Sequence, residues 1–356
     1  MTTVVIAAGG TAGHVVPALA VADALRDSGA NVEFVGGERA EAELVPAAGY
    51  PFHRLSVTGI DRRNPLRAAR AAVLALRATA GARRILSRSG AAVVLGGGGY
   101  VAGPVGLAAR SLGLPLAVTE ADSHLGVANR LLAPLAARVF LAFPLEGRTG
   151  ERYVLTGRPV PAGTGTADRT AARERFGIGA DERCLLVFGG SLGARRLNDA
   201  SLEAFGRAAP CAVLHACGRR DHPGLASRLA EMGNLPHYHL HAYVEPFADA
   251  LAAADLVAGR AGGSVLEVAA AGLPSILVPY PHATAGHQTA NARYMAEAGA
   301  AVVVPDEELD GPRLAGELAE LLGDPQRMAT MAAGARAVAR PDAAQRIARE
   351  VLALAR

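Results

Sequence analysis

The sequence predicts an α/β protein of two doubly wound parallel domains facing each other across a cleft. Three observations predict it. Short apolar strands alternate with alanine-rich helical stretches through both halves, each half opens on a strand that runs into a glycine-rich loop and a helix, and 356 residues exceed what one core serves. The first half offers strands at 4–7, 32–35, 93–95, 116–119 and 139–142. The stretch Gly157-Arg158-Pro159-Val160-Pro161-Ala162-Gly163-Thr164-Gly165 is too rich in Pro and Gly for an element interior, so a linker there divides the chain into 1–160 and 161–340. The second half repeats the plan with strands at 184–188, 212–216, 256–258, 275–278 and 301–304. In such sheets ligands bind outside the carboxyl ends of the strands.

Candidate functional residues gather at those ends. Gly9-Gly10-Thr11-Ala12-Gly13-His14 and Gly189-Gly190-Ser191-Leu192-Gly193-Ala194 each follow a strand and enter a helix. Glycine lets the backbone approach an oxyanion without a Cβ in the way, and the helix start adds unpaired N–H groups and a positive dipole end. Each half can therefore hold a phosphorylated ligand, although the same pattern also serves as a plain tight turn. A further glycine run is Gly96-Gly97-Gly98-Gly99-Tyr100. Thr119-Glu120-Ala121-Asp122-Ser123-His124 puts two carboxylates and a histidine after a strand, with Asn129 on the helix beyond, as a solvated loop also would. Glu267 falls about one turn into the helix after Arg260-Ala261-Gly262-Gly263-Ser264, within reach of a ligand hydroxyl or serving the helix start. Gln288 and Asn291 share one helical face.

Composition narrows the class. Hydrophobic content of 51% with 19% charged residues is that of a globular chain. The formal net charge is +3, its basic side is arginine throughout, and no nucleic-acid partner is expected. The opening Met1-Thr2-Thr3-Val4-Val5-Ile6 reads as a strand rather than a leader, and no run approaches the roughly 20 apolar residues of a membrane span. A cytosolic protein is expected. Cys184, Cys211 and Cys217 lack metal-type pairing and read as buried, reduced thiols. Over residues 62–88, Arg67, Arg70, Arg77, Arg84 and Arg88 fall near one side of a helix, with Arg62, Arg63 and Arg83 adding charge and Leu66, Val73, Leu74 and Leu76 apolar surface. Such a helix can lie on an anionic leaflet or present an ordinary solvated face.

Taken in order, four stretches resemble the bacterial MurG family, the UDP-N-acetylglucosamine:lipid I N-acetylglucosaminyltransferases. They are Gly9-Gly10-Thr11-Ala12-Gly13-His14-Val15-Val16-Pro17-Ala18, Gly98-Gly99-Tyr100-Val101-Ala102-Gly103-Pro104, Gly189-Gly190-Ser191-Leu192-Gly193-Ala194-Arg195-Arg196-Leu197-Asn198, and Ala269-Ala270-Ala271-Gly272-Leu273-Pro274 leading to His287-Gln288-Thr289-Ala290-Asn291-Ala292. The resemblance spans roughly 4–304 and implies the GT-B architecture of two Rossmann-like domains, inverting transfer without a metal or other cofactor, and a C-terminal helix over 341–356 crossing back to the first domain. It implies UDP-N-acetylglucosamine in the second domain: Gly190 and Ser191 at the diphosphate with help from Arg158, Val244 and Phe247 near uracil, and Gly263 and Ser264 completing the pocket. Glu267 would bind the ribose hydroxyls, and Gln288 and Asn291 the sugar. In the first domain Thr11, Ala12 and Gly13, with Gly98 and Gly99, would cradle the diphosphate of lipid I, and Tyr100, Asp122 and Asn129 would lie on the acceptor side. The product would be lipid II for peptidoglycan, made by a peripheral protein on the cytoplasmic, anionic face of the cell membrane.

For the base that inverting transfer requires, His14 has the better position and an ordinary pKa of about 6.5, and Glu120 is its rival. His14 can equally be a phosphate ligand or a helix-start residue. The chain departs from the family pattern at Ala12, where a third glycine is usual, and at Thr119-Glu120-Ala121-Asp122, where His-Glu-Gln-Asn is common. It also has Pro161 in place of an arginine after the linker Pro-Val, and one residue fewer between Arg260 and Glu267. Four other readings compete: a related transferase acting on a diacylglycerol or small natural product, a UDP-N-acetylglucosamine 2-epimerase, a non-catalytic nucleotide-sugar sensor, and an NAD-dependent dehydrogenase using Ala8, Gly10, Gly13 and Glu38.

Overall fold

The computed structural model describes residues 1–57, 65–190, 193–233 and 235–355, and their side chains except those of 65–73, 75 and 284. The chain divides into two units, one of Met1–Pro161 with Arg340–Arg356 and one of Ala162–Ala339.

The first unit is built on seven parallel strands: β1 (Thr3–Ala7), β2 (Asn31–Gly36), β3 (Phe52–Arg54), β4 (Val93–Gly96), β5 (Leu116–Glu120), β6 (Arg138–Leu141) and β7 (Tyr153–Leu155). Their spatial order is β3-β2-β1-β4-β5-β6-β7. The second holds six: β8 (Cys184–Phe188), β9 (Ala212–Ala216), β10 (Tyr238–His241), β11 (Leu256–Gly259), β12 (Ser275–Leu277) and β13 (Ala301–Val303), in the order β10-β9-β8-β11-β12-β13. All of its pairings are parallel as well. Central strands such as Val4-Val5-Ile6-Ala7 are apolar at every position because helices cover both faces of a parallel sheet.

Five strands were expected in each half, and the three additional ones, β3, β7 and β10, all lie at sheet edges. Two have only three residues, and β10 reads Tyr-His-Leu-His. An edge strand buries less and so lacks the apolar run that marks its neighbours.

Two hydrophobic layers flank each sheet. In the first unit the helix Ala12–Asp27 packs one face through Val15, Ala18, Val21, Ala22 and Leu25. The helix Ala343–Leu354 joins that layer through Ala344, Ile347, Ala348 and Val351, a helical spacing that explains why the last residues return to this unit. Ala78, Ala82 and Leu86 of the helix Pro65–Arg88 and Ala102, Val105, Ala108 and Ala109 of the helix Ala102–Ser111 cover the opposite face.

Strand order reverses between β1 and β4 in one sheet and between β8 and β11 in the other. The connections leaving neighbouring strands diverge at such a switch point and open a crevice. Each of the four strands there leads into one of the glycine-containing segments singled out above.

Candidate active site

At the first switch point, the loops after β1 and β4 meet at His14. Glycine is required where the 9–14 and 97–100 loops touch. Gly99 has φ +78°, and a Cβ there would fall 1.7 Å from the Gly9 carbonyl oxygen. A Cβ on Gly98 would fall 2.6 Å from His14 Cδ2. The backbone contact thus leaves just enough room for the imidazole. His14 Nδ1 lies 3.5 Å from Thr11 Oγ1. Burial lowers the His14 pKa; Asp122 opposes this, Arg158 reinforces it, and Glu41 opposes it.

The carboxylate expected as the rival base is engaged elsewhere. Glu120 is almost wholly buried and accepts hydrogen bonds from the amides of Asp122 (3.1 Å) and Gly126 (2.8 Å) and from Asn129 Nδ2 (2.9 Å). Burial raises its pKa although those three bonds pull the other way. Asn129 also donates to the Thr119 carbonyl at 2.8 Å, so both residues shape the loop that presents Asp122.

Arg158, expected beside the donor, belongs to the first unit. Its buried guanidinium donates to the carbonyls of Gly13 (2.7 Å) and Ala121 (3.2 Å), joining the loops after β1 and β5. The linker arginine is therefore a clamp on the His14 side. A second residue that the sequence pattern did not mark is Glu41, which opens the helix Glu41–Ala47 and is fully buried. It accepts hydrogen bonds from Gly10 N (2.9 Å), Gly37 N (2.9 Å) and Tyr100 Oη (3.0 Å). Burial would raise its carboxyl, but these bonds override it and hold the pKa below the ordinary range. Nothing in the sequence separates this glutamate from Glu38 or Glu43 nearby.

In the second unit, Gly189 and Gly190 leave β8, and the helix Arg195–Phe205 starts with no side-chain cap. Ser191 lies outside the described residues. Asn198 fixes this helix start from below: its Nδ2 donates to the Cys217 carbonyl (2.9 Å) and to Asp221 Oδ2 (3.1 Å), and its Oδ1 lies 3.0 Å from His215 Nε2. His215 Nδ1 lies 2.8 Å from Tyr238 Oη, and burial takes its pKa down to about 3. This histidine is structural and neutral, and the three cysteines are free and buried.

Of the expected donor residues, Val244 is buried in the core with Phe188. Phe247 packs edge-on against Phe188 with ring centroids 5.0 Å apart. Gly263 and Ser264 lead into the helix Val265–Ala270, where half-buried Glu267 occupies the first turn near Tyr243. Gln288 Oε1 accepts from the Tyr280 amide at 2.9 Å, and fully buried Asn291 donates to the Ala261 carbonyl at 3.0 Å. Those two bonds tie the helix His287–Glu297 to the loops after β11 and β12. Arg260, not among the expected ligands, donates to the Val278 carbonyl at 3.1 Å and pairs with Asp306 at 2.5 Å.

Among the described residues no group of three or more His, Cys, Asp or Glu is placed to hold a metal ion. None of their helices is long and apolar enough to cross a membrane. On the helix Pro65–Arg88, Leu76 is 72% exposed and Arg77, Arg84 and Arg88 are exposed. Arg83, also exposed, reaches the Ser111 carbonyl (3.1 Å) and Oγ (2.5 Å). Arg62 and Arg63 lie outside the described residues, as do the side chains of Leu66, Arg67, Arg70 and Val73.

Two parallel sheets with a glycine loop at each switch point define a protein of the GT-B glycosyltransferase class. Residues 4–141 match the Glycosyltransferase family 28 N-terminal domain, and 184–347 match its C-terminal domain. The chain is 43% identical to the UDP-N-acetylglucosamine--N-acetylmuramyl-(pentapeptide) pyrophosphoryl-undecaprenol N-acetylglucosamine transferase of Moorella thermoacetica, covering 98% of each chain. It is 44% identical to that of Methylococcus capsulatus, again over 98% of each. The crystal structure of Acinetobacter baumannii MurG matches with a TM-score of 0.79 at 32% identity, covering 99% of this chain and 100% of that one. The chain belongs to the MurG family.

Proposed function

We infer that this protein transfers N-acetylglucosamine from UDP-N-acetylglucosamine to the 4-hydroxyl of the N-acetylmuramyl unit of lipid I, giving lipid II. The observation that carries this is the 43% identity over 98% of both chains to a transferase named for that reaction. The second unit takes the donor, with Gly190 and its neighbours at the diphosphate, Glu267 at the ribose, and Gln288 and Asn291 shaping the sugar pocket. The first takes the acceptor, whose diphosphate meets the 9–14 loop.

As the acceptor hydroxyl attacks the anomeric carbon from the face opposite UDP, its proton passes to the His14 imidazole and the bond to UDP breaks with its electron pair. Burial keeps His14 neutral near pH 7, as a base must be, and the Asp122 carboxylate stabilises the imidazolium that forms. Charge growing on UDP is met by loop amides and by the positive end of the helix Arg195–Phe205. Glu120 serves as a loop anchor. The exposed leucine and arginines of Pro65–Arg88 favour a first unit that rests on an anionic membrane surface.

The test is to offer the purified protein UDP-N-acetylglucosamine with lipid I, a diacylglycerol or a soluble sugar in parallel, and with no acceptor at all. Product from lipid I alone is expected. Product chiefly from another acceptor, or epimerised donor without an acceptor, would replace this reading.

A further inference from the structure

Glu41 takes no part in the chemistry above, yet three segments of the first unit converge on it. Its Oε2 accepts the Gly10 amide from the loop after β1, at 2.9 Å. Its Oε1 accepts the Gly37 amide from the loop after β2, at 2.9 Å, and the Tyr100 hydroxyl from the loop after β4, at 3.0 Å. Neighbouring glycines leave the space it fills: a Cβ on Gly9 would fall 2.9 Å from Oε1, and one on Gly37 would fall 3.0 Å from the same atom. Burying a carboxylate is costly unless hydrogen bonds fill its lone pairs, and here the donors come from three separate connections.

We propose that Glu41 is the positioning residue of the acceptor site, holding the 9–14 loop in register with the 97–100 loop so that His14 and the remaining loop amides meet the acceptor diphosphate. The proposal rests on the reading of the first unit as the acceptor side. Because Gly10 gives its N–H to Glu41, that amide is not offered to a phosphate. The charged groups facing His14 are Asp122, Arg158 and Glu41, so removing the Glu41 charge also reaches the imidazole.

Glu41→Gln tests this with little change of shape. The amide has one oxygen, which can serve Gly37 and Tyr100 together only by turning its NH2 toward the Gly10 N–H, donor against donor. In that orientation the 9–14 loop is released; the other sets the NH2 against the Gly37 N–H and turns the Tyr100 hydroxyl from donor to acceptor, which loosens the same anchor. The expected result is an acceptor KM raised about tenfold, UDP affinity within twofold of wild type, and an acid limb of kcat moved to lower pH. The His14 imidazole titration, followed by NMR without substrate, should move the same way, because a negative charge beside it is gone. A merely structural role would lower the unfolding temperature and leave the kinetics of the folded enzyme and the His14 titration unchanged; that result, or equal losses on the donor side, overturns the proposal. Should Glu41→Gln not fold, Gly37→Ala breaks the same anchor from outside the 9–14 loop, because its Cβ would fall 2.0 Å from Tyr100 Oη. It should raise acceptor KM severalfold at constant UDP affinity, and an unchanged KM counts against Glu41. Wild-type protein that leaves lipid I unconverted refutes the acceptor-side reading itself; wild type that converts it, beside unaltered Glu41 variants, refutes only the role of Glu41.

Discussion

The two glycine loops occupy equivalent places in their sheets but are held by different chemistry. The 9–14 loop is tied by a buried carboxylate that fills its lone pairs with backbone amides and a tyrosine hydroxyl. The loop after β8 leads into a helix tied by an amide, Asn198, backed by a histidine that burial keeps neutral down to about pH 3. Only at its outer end does that network reach a carboxylate, Asp221, where the hydrogen bond from exposed Arg220 is the main cause of a lowered pKa. Both anchors act at the start of a helix, but the first sits beside a histidine whose pKa burial lowers while Asp122 and Glu41 oppose that lowering, so its charge answers to its neighbours. Sensitivity to pH should therefore belong to the chemistry of the first loop and not to the scaffold of the second.

His14→Ala probes that difference with the largest expected effect. Turnover at saturating substrates should fall roughly 10²–10⁴-fold, as for loss of a general base, while UDP affinity stays near wild type. The pH profile gives the sign. Because the His14 pKa lies below 6.5, the wild-type rate should be full at pH 7 and fall only as pH drops through the lowered value. The variant should lose that limb. If the loss instead appears as a raised acceptor KM that saturation overcomes, His14 binds diphosphate rather than taking the proton.

Glu267→Ala makes the converse test in the second unit. A hydrogen bond from ligand hydroxyls to a charged acceptor contributes roughly 1.5–3 kcal/mol, so UDP affinity should weaken by about tenfold or more. The acid limb assigned to His14 should not move. Calorimetry that finds unchanged UDP affinity in the folded variant would take Glu267 out of the donor pocket.

What could be read in the sequence and what could not divides along the same physical line. Central strands announce themselves because both their faces are covered, and the glycine loops because backbone approach excludes a Cβ. The edge strand Phe52–Arg54 carries one large apolar residue and gives no such sign. Candidate site residues divide similarly: His14 stands in the first turn of the helix Ala12–Asp27, where its place follows from local order, whereas Glu41 is held by contacts 31 and 59 residues away. Arg158 shows the limit of local reading, since a linker position says nothing of the carbonyl 145 residues earlier to which its guanidinium donates.

The smallest expected effect concerns the first unit's outer surface. The described part of the helix Pro65–Arg88 buries Ala78, Ala82 and Leu86 at four-residue spacing and leaves Leu76 and Arg77 exposed. A basic side chain near an anionic bilayer contributes about 1 kcal/mol, screened as salt shortens the reach of its charge. Arg77→Gln should accordingly reduce sedimentation with anionic vesicles about fivefold at low ionic strength, and raised salt should erase the difference. Arg83→Gln supplies the contrast, because its guanidinium is held against Ser111 on the neighbouring helix and has less freedom to turn toward lipid. Equal losses from both variants would point to net charge alone rather than an oriented helix face. Binding that ignores salt and both substitutions would remove the basic face from membrane contact and leave Leu76 as the surface to test.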